Sequence, residues 1–428
     1  MLFVEFIMIE ENDNKIQKGI REHFSQFFAN PVSKNAFILL STWCLDAAIG
    51  FFFILIAARI YTIDAVGTAM VLFSYLSFVI LASRFGIQQS MIGYYNEKDK
   101  SSIYWLTITA TTVPAIGLGI LLIIFSNIGF LGEDVLAQFS IIFLIGLLLS
   151  SVSDVGKFYF LASGNPLIYL SQHIIIGSRI LFLVVLVVFG SLGMFLSLII
   201  ATCLAAGFSF LIIRRQGVRF RIDNKKFLSE SLHFSATNYI CDFLTIAPVS
   251  LIPIIIFSLF GKEETAIYSV GYSIASIAFF IPMAIGYASF ISGSTEKIEK
   301  TSKKIIFPTL LLLMGIIAVF FFWGHDIISL LGPNYTKTTD LVVIIMSASV
   351  FALFFQIYAA EFKIFREMKK LLILNIAFFV ILMSLSIILM MNFGLIGAGY
   401  AWIGAYGICV VPMFFYSFLK NNNNASPK

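Results

Sequence analysis

What most constrains this chain is a long apolar segment that recurs twelve times between positions 37 and 419, separated each time by a short polar break. A helix needs about 20 mostly apolar residues to cross the hydrocarbon core of a bilayer. The segments run 37–61, 66–95, 103–126, 135–160, 167–189, 192–214, 230–260, 265–291, 305–323, 340–361, 371–391 and 395–419. Stretches such as 180–189 are apolar on every side, whereas a barrel strand alternates polar and apolar residues over about ten positions. Only helices then satisfy their own backbone hydrogen bonds in lipid. The expected fold is an all-α polytopic membrane protein of twelve transmembrane helices. Composition agrees: 59% of the 428 residues are hydrophobic and 12% charged, against about 25% charged in soluble domains.

Lysine and arginine set the orientation. With the N-terminus inside, the inner breaks and termini hold 23 of the 28 basic residues, including Arg214, Arg215, Arg219, Arg221, Lys225 and Lys226 in one linker. The outer breaks hold three, Arg59, Lys262 and Lys337, and Arg84 and Arg179 lie within helices. Both termini are therefore expected in the cytoplasm, in a cell membrane. The net charge of +5 reads as this orientation signal and not as a nucleic-acid surface.

The apolar leader carries Glu5 and is followed by Glu10, Glu11 and Asp13, which argues against a cleaved signal peptide. Residues 16–30 interleave Ile16, Ile20, Phe24, Phe27 and Phe28 with Lys18, Arg21 and Glu22. That pattern suits an interfacial amphipathic helix and equally a solvated leader. Cys44, Cys203, Cys241 and Cys409 are far apart in apolar segments, without the close spacing of metal or disulfide frameworks. No G-x-x-x-x-G-K-[ST] loop is present, so no recognisable ATPase drives the chain. Neither a cofactor nor a metal site is expected.

The basic linker divides the chain into halves that resemble one another at an offset near 200. Gly86 matches Gly286, and Leu131-Gly132 matches Leu331-Gly332. Phe189-Gly190-Ser191-Leu192-Gly193 matches Phe393-Gly394-Leu395-Ile396-Gly397, and Trp43-Cys44-Leu45-Asp46 matches Tyr239-Ile240-Cys241-Asp242. With Glu97-Lys98 against Glu296-Lys297, five such matches in order predict two six-helix lobes related by a parallel pseudo-two-fold repeat: a leader at 1–36, an N-lobe at 37–214, a linker at 215–229, a C-lobe at 230–419 and a disordered tail at 420–428. Transporters place substrate between such repeats and rock one against the other.

Charge inside a bilayer costs about 2.5 to 3.5 kcal/mol per group on insertion scales, so intramembrane charges face a cavity or each other. Asp46 and Asp242, related by the repeat, are expected to face one another across the central axis. Arg84 and Arg179 have no basic counterparts in the second half. Two guanidinium forks suit a pyrophosphate; the competing reading pairs Arg84 with Asp46 and Arg179 with Asp154 for structure alone. The two aspartates have three open uses: binding a coupling ion, bonding sugar hydroxyls, or balancing the arginines. Asp154 and Lys157 are expected to form a local ion pair, Gln88 to line the cavity wall, and Pro248 and Pro253 to kink the seventh segment into a gate.

The run Ala58-Arg59-Ile60-Tyr61, Asp64-Ala65-Val66-Gly67, Arg84-Phe85-Gly86-Ile87 and Tyr94-Tyr95-Asn96-Glu97 resembles the N-terminal pattern of polysaccharide and O-antigen flippases of the multidrug/oligosaccharidyl-lipid/polysaccharide exporter superfamily. Leu331-Gly332-Pro333-Asn334-Tyr335 and Phe393-Gly394-Leu395-Ile396-Gly397 resemble the C-terminal pattern of the same group. The resemblance implies two lobes about a partly cationic cavity and movement of a polyprenyl-linked oligosaccharide from the inner to the outer leaflet. Arg84 falls where the related lipid II flippases carry basic cavity residues. Those flippases have two further helices, which points away from lipid II as cargo. The implied partners are the lipid-linked oligosaccharide, membrane lipids, a coupling ion (H+ or Na+) and glycan polymerase or glycosyltransferase proteins. A cation-coupled multidrug or metabolite antiporter of the same fold is the alternative. An enzyme is not expected, since the outer breaks are short and His325 and Asp326 lack a companion cluster.

Overall fold

A computed structural model describes residues 31–96, 99–127, 135–222, 225–292 and 298–424. Residues 16–30 and the Leu131-Gly132 repeat element lie outside these. The described chain forms α1 (Pro31–Ile60), α2 (Ile63–Ser83), α3 (Ile87–Tyr94), α4 (Lys100–Asn127), α5 (Ser140–Ala162), α6 (Pro166–Gly177), α7 (Arg179–Val185) and α8 (Gly190–Arg215), the N-lobe. The C-lobe follows as α9 (Lys225–Phe260), α10 (Lys262–Ser292), α11 (Ile298–Ser329), α12 (Thr338–Ile364), α13 (Met368–Phe393) and α14 (Ile396–Asn424). Among the described residues, twelve stretches are long and apolar enough to span a membrane; α6 with α7 make up one of them, and α2 makes up another, with α3 following it after the break at Arg84–Gly86. The last helix continues to Asn424, past the boundary expected at 419, because helix propagation from the apolar run costs little per added residue.

The outer surface is what lipid requires. On α11, Phe307, Leu311, Phe321, Phe322 and Trp323 are all exposed, an apolar belt that water would not tolerate at this size. Between helices, contact depends on small residues that let backbones approach. A side chain at Gly67 on α2 would collide with the Lys262 carbonyl at the start of α10.

The internal repeat is visible in the turns. Gly190 and Gly394 both take positive φ, 56° and 65°, which glycine adopts without a Cβ clash. Three residues on, Gly193 and Gly397 each pack directly on a carbonyl of the preceding helix segment, that of Leu186 and that of Leu389. The matching pentapeptides thus build matching hairpins.

One matched pair behaves asymmetrically. The second crossing is interrupted at Arg84–Gly86, where Phe85 and Gly86 take φ of 46° and 74°. In the C-lobe, α10 runs unbroken through Gly286. Pro248 and Pro253 lie within α9, which is assigned as one helix from Lys225 to Phe260. The break near the lobe interface is the one after α2, because two consecutive residues at positive φ cannot continue a helix.

The seam between the lobes changes character along its length. Away from the face that carries the 215–222 linker, hereafter the basic face, it is apolar: Phe53, Ala57, Ala65, Val66 and Ala69 join one core with Ile252, Ile256, Ala266 and Val270. Nearer the basic face it is polar. Gln89 Nε2 donates to Asp242 Oδ2 at 2.8 Å, the hydroxyls of Ser90 and Ser235 lie 2.6 Å apart, and Ser90 Oγ donates to the Ser231 carbonyl at 3.2 Å. The Tyr239 hydroxyl donates to the Ala82 carbonyl at 2.8 Å, satisfying an acceptor that the interruption at Arg84–Gly86 leaves without a helical donor.

Candidate functional site: a cationic cavity in the N-lobe

The two intramembrane arginines both stand at breaks in their helices. Arg84 is the residue after α2, just before the left-handed Phe85-Gly86 pair, and Arg179 opens α7 directly after the interruption at Ser178. Irregular backbone at membrane depth is tolerated where it lines a cavity or is buried in protein. Here it lines a cavity of about 480 Å³, walled by α1, α2, α5, α7 and α8 and closed on one side by Ile246 and Ser250 of α9 from the other lobe.

Five charged residues line it: Arg84, Lys157 and Arg179 against Asp46 and Asp154. Arg84 makes a two-pronged pair with Asp154, Nε to Oδ2 at 2.9 Å and Nη2 to Oδ1 at 3.1 Å. The fork is not sealed, since the Arg84 side chain keeps 31% of its surface exposed. Arg179 has no ion pair among the described residues. Its guanidinium lies over the Phe53 ring, 5.2 Å from the centroid, and its Nε is buried with no hydrogen-bond partner. Gly50 faces Nη2, leaving that edge of the fork unobstructed. The carboxylate whose field acts on Arg179 is Asp46, itself exposed in the cavity.

The arginine pairing is therefore the reverse of the structural alternative weighed from sequence. Arg84 takes Asp154, 70 residues away, and Asp46 is left beside Arg179. This exchange also removes Asp154 from Lys157, so the expected local ion pair does not form; Lys157 faces the cavity as a third cation that sequence spacing had assigned to neutralisation.

Asp46 and Asp242 have different surroundings. Asp46 belongs to the N-lobe cavity, while Asp242 accepts from Gln89 in the polar seam. The interruption at Arg84–Gly86 redirects α3 towards α9 and delivers Gln89 to Asp242. Gln88, the neighbour expected on the wall, is instead 2% exposed and off the cavity. His173 is buried, with its Nδ1 3.0 Å from the Tyr169 carbonyl. No group of three or more His, Cys, Asp or Glu suited to a metal occurs among the described residues.

The C-lobe interior carries an aromatic cluster. Phe355, Phe378, Trp402 and Tyr406 stack there, with Phe378 and Tyr406 centroids 4.6 Å apart, and Trp402 Nε1 donates to the Tyr268 hydroxyl at 3.1 Å. A larger cavity of about 830 Å³ lies between α12, α13 and α14, but it is mostly apolar, and Lys370 on its rim is tied to Glu367 at 2.7 Å. Of these two, the N-lobe cavity is the one with more cations than carboxylates on its walls.

Comparison with solved structures bears out the two-lobe, twelve-helix fold. The chain is similar to an inward-facing multidrug resistance MATE family transporter of the MOP superfamily, with a TM-score of 0.72 at 14% identity over 90% of this chain and 96% of that one. It is similar to the lipid II flippase MurJ in an inward closed conformation, with a TM-score of 0.70 at 12% identity over 89% and 87% of the two chains. An outward-facing MATE transporter aligns at 0.62 and 13% identity over 93% and 98%. No protein-family model and no curated protein sequence matches the chain. The protein is a multi-pass membrane protein with a transporter fold.

Proposed function

We propose that the chain moves a polyprenyl-diphosphate-linked oligosaccharide between leaflets by alternating access, for assembly of a surface polysaccharide or related glycan. The observation that carries this reading is the N-lobe cavity, where three cations meet two carboxylates and Arg179 has an open guanidinium edge. A guanidinium stays charged in a membrane interior and matches phosphate oxygens two at a time. The cavity lies within the 300–1,000 Å³ range of ligand sites, enough for a diphosphate and the sugar next to it.

The charge asymmetry supports a cytoplasmic basic face, and this reading puts both termini on that side of the cell membrane. The seam supports entry from there. Its cytoplasmic half is held by hydroxyl and amide hydrogen bonds that water can replace at small net cost, while its outer half would expose apolar surface on opening. The glycosyltransferases that build the cargo and the polymerases that consume it are the expected neighbours in the process.

One observation favours a second reading, a cation-coupled antiporter. Asp46 sits exposed in the cavity with no hydrogen-bond partner among the described residues, as a site for H+ or Na+ would. Reconstitution separates the two. Liposomes holding the purified protein and a fluorescent short-glycan polyprenyl diphosphate in one leaflet are expected to show its transfer to the other, slowed by an excess of a soluble sugar diphosphate. No lipid transfer, together with cation-driven efflux of organic cations that Asp46→Asn abolishes, overturns the flippase reading.

A further inference from the structure

A third cavity, of about 540 Å³, lies at the basic face between the start of α4 and the end of α8 and shares no residue with the charged cavity of about 480 Å³. The chain reverses after α8 at Gly217, φ 82°, and the following strand of linker lies back over α4. Two contacts fix it there: the Arg219 amide donates to Ser101 Oγ at 3.2 Å, and Arg221 pairs with Asp99 at 3.6 Å. This return loop roofs the cavity with Arg219 and Phe220, opposite Arg214.

The lining has two chemistries. Arg214 and Arg219 have no ion pair among the described residues, because Asp99 is already engaged by Arg221. Beneath them, the Tyr104 hydroxyl and Trp105 Nε1 are buried with no hydrogen-bond partner, and Tyr104 as a whole is 1% exposed. A buried donor without an acceptor is a cost that a bound oxygen removes. On the lipid side, Phe220 packs edge-on against Trp105 with centroids 4.9 Å apart, and Phe210 and Phe220 are both exposed. Cations and unused donors inside, with an aromatic shelf at the edge, describe a ligand that is anionic at one end and apolar at the other.

We infer that this cavity binds the phosphodiester headgroup of an anionic membrane phospholipid, with its acyl chains along Phe210 and Phe220. Arg214 and Arg219 hold the phosphate oxygens, and Tyr104 and Trp105 donate to headgroup oxygens. The site includes the linker between the lobes, so an occupied site ties that linker to the N-lobe. The inference is independent of what the N-lobe cavity carries.

Native mass spectrometry of the full-length protein released from detergent tests it, with phosphatidylglycerol, phosphatidylcholine of the same chains, and inorganic phosphate as probes. One phosphatidylglycerol per protein is expected to be retained in preference to phosphatidylcholine, and millimolar inorganic phosphate is expected not to displace it. Each basic contact near a membrane surface contributes a factor of about five in binding, so Arg214→Gln and Arg219→Gln should each weaken retention about fivefold and the double variant about 25-fold. Arg215→Gln, which removes the same charge from a residue outside the cavity, should leave retention unchanged. Trp105→Phe, which keeps the aromatic shelf but removes the donor, should weaken retention and provides a test even if the double variant fails to fold. Equal losses in Arg215→Gln and Arg219→Gln would reduce the effect to general basicity and overturn the site. So would displacement by inorganic phosphate, which would mark a free-anion site, or equal retention of phosphatidylcholine.

Discussion

Arg84→Ala is expected to stop transfer of a diphosphate-linked glycan while the protein still inserts and folds. A hydrogen bond between charged groups contributes about 1.5–3 kcal/mol, and Arg84 offers two from one fork. Losing both should slow transfer at limiting substrate by at least about a hundredfold, each 1.4 kcal/mol being a factor of ten. Removing one partner of a buried ion pair also leaves the other unpaired, at about 3–5 kcal/mol for a fully buried pair. That figure is an upper bound here, because Arg84 is 31% exposed and Lys157 and Arg179 share the cavity with Asp154. The double variant Arg84→Ala/Asp154→Asn separates the two effects: thermal stability should return towards that of the unmodified protein, and transfer should not. Arg84→Lys, which keeps the charge and loses the fork, should fall between them. Measured transfer rates in proteoliposomes, alongside melting temperatures, decide the matter. Full transfer by a folded Arg84→Ala protein would remove the arginine from the substrate's path.

The second large effect is expected at Gly86, where Gly86→Ala should destabilise the protein by about 2–5 kcal/mol. About 1–2 kcal/mol comes from placing a Cβ on a left-handed residue. A further 1–3 kcal/mol comes from overpacking, since that Cβ would lie 2.8 Å from Ser235 Cβ and 3.0 Å from Tyr239 Cβ on α9. Gly286→Ala is the matched control. It has no positive φ, and its nearest neighbour would be 3.1 Å away, the Cβ of Gln356 on α12. The melting temperature should drop markedly for Gly86→Ala and only slightly for Gly286→Ala. Similar drops would mean that the interruption at Arg84–Gly86 is not what holds α3 to α9.

Some of this was legible in the residues. The breaks at Arg84–Gly86 and Ser178 were not among the legible features, since both fall inside segments that read as unbroken, 66–95 and 167–189. Gly190 with Gly193, repeated as Gly394 with Gly397, announced two copies of one hairpin. Lys157 was missed as a cavity cation because its spacing from Asp154 suits a local pair, and nothing nearby in sequence shows that Arg84 takes that carboxylate first.

The twelve crossings, the concentration of basic residues in alternate breaks, the twofold repeat and the confinement of intramembrane arginines to the first half were settled by sequence alone. Each depends on the type of residue at a position and on the cost of placing it in lipid, which is a local quantity. Which carboxylate each arginine meets, why Asp242 turns to Gln89 and not to Asp46, and why only one of two matched glycines breaks its helix were decided by the tertiary structure. Helices that are apolar on every side have no polar stripe to record which face turns inward. Their rotation is set by contacts between residues 70 to 150 positions apart, such as Arg84 with Asp154 and Gln89 with Asp242, and those exist only once the bundle has packed.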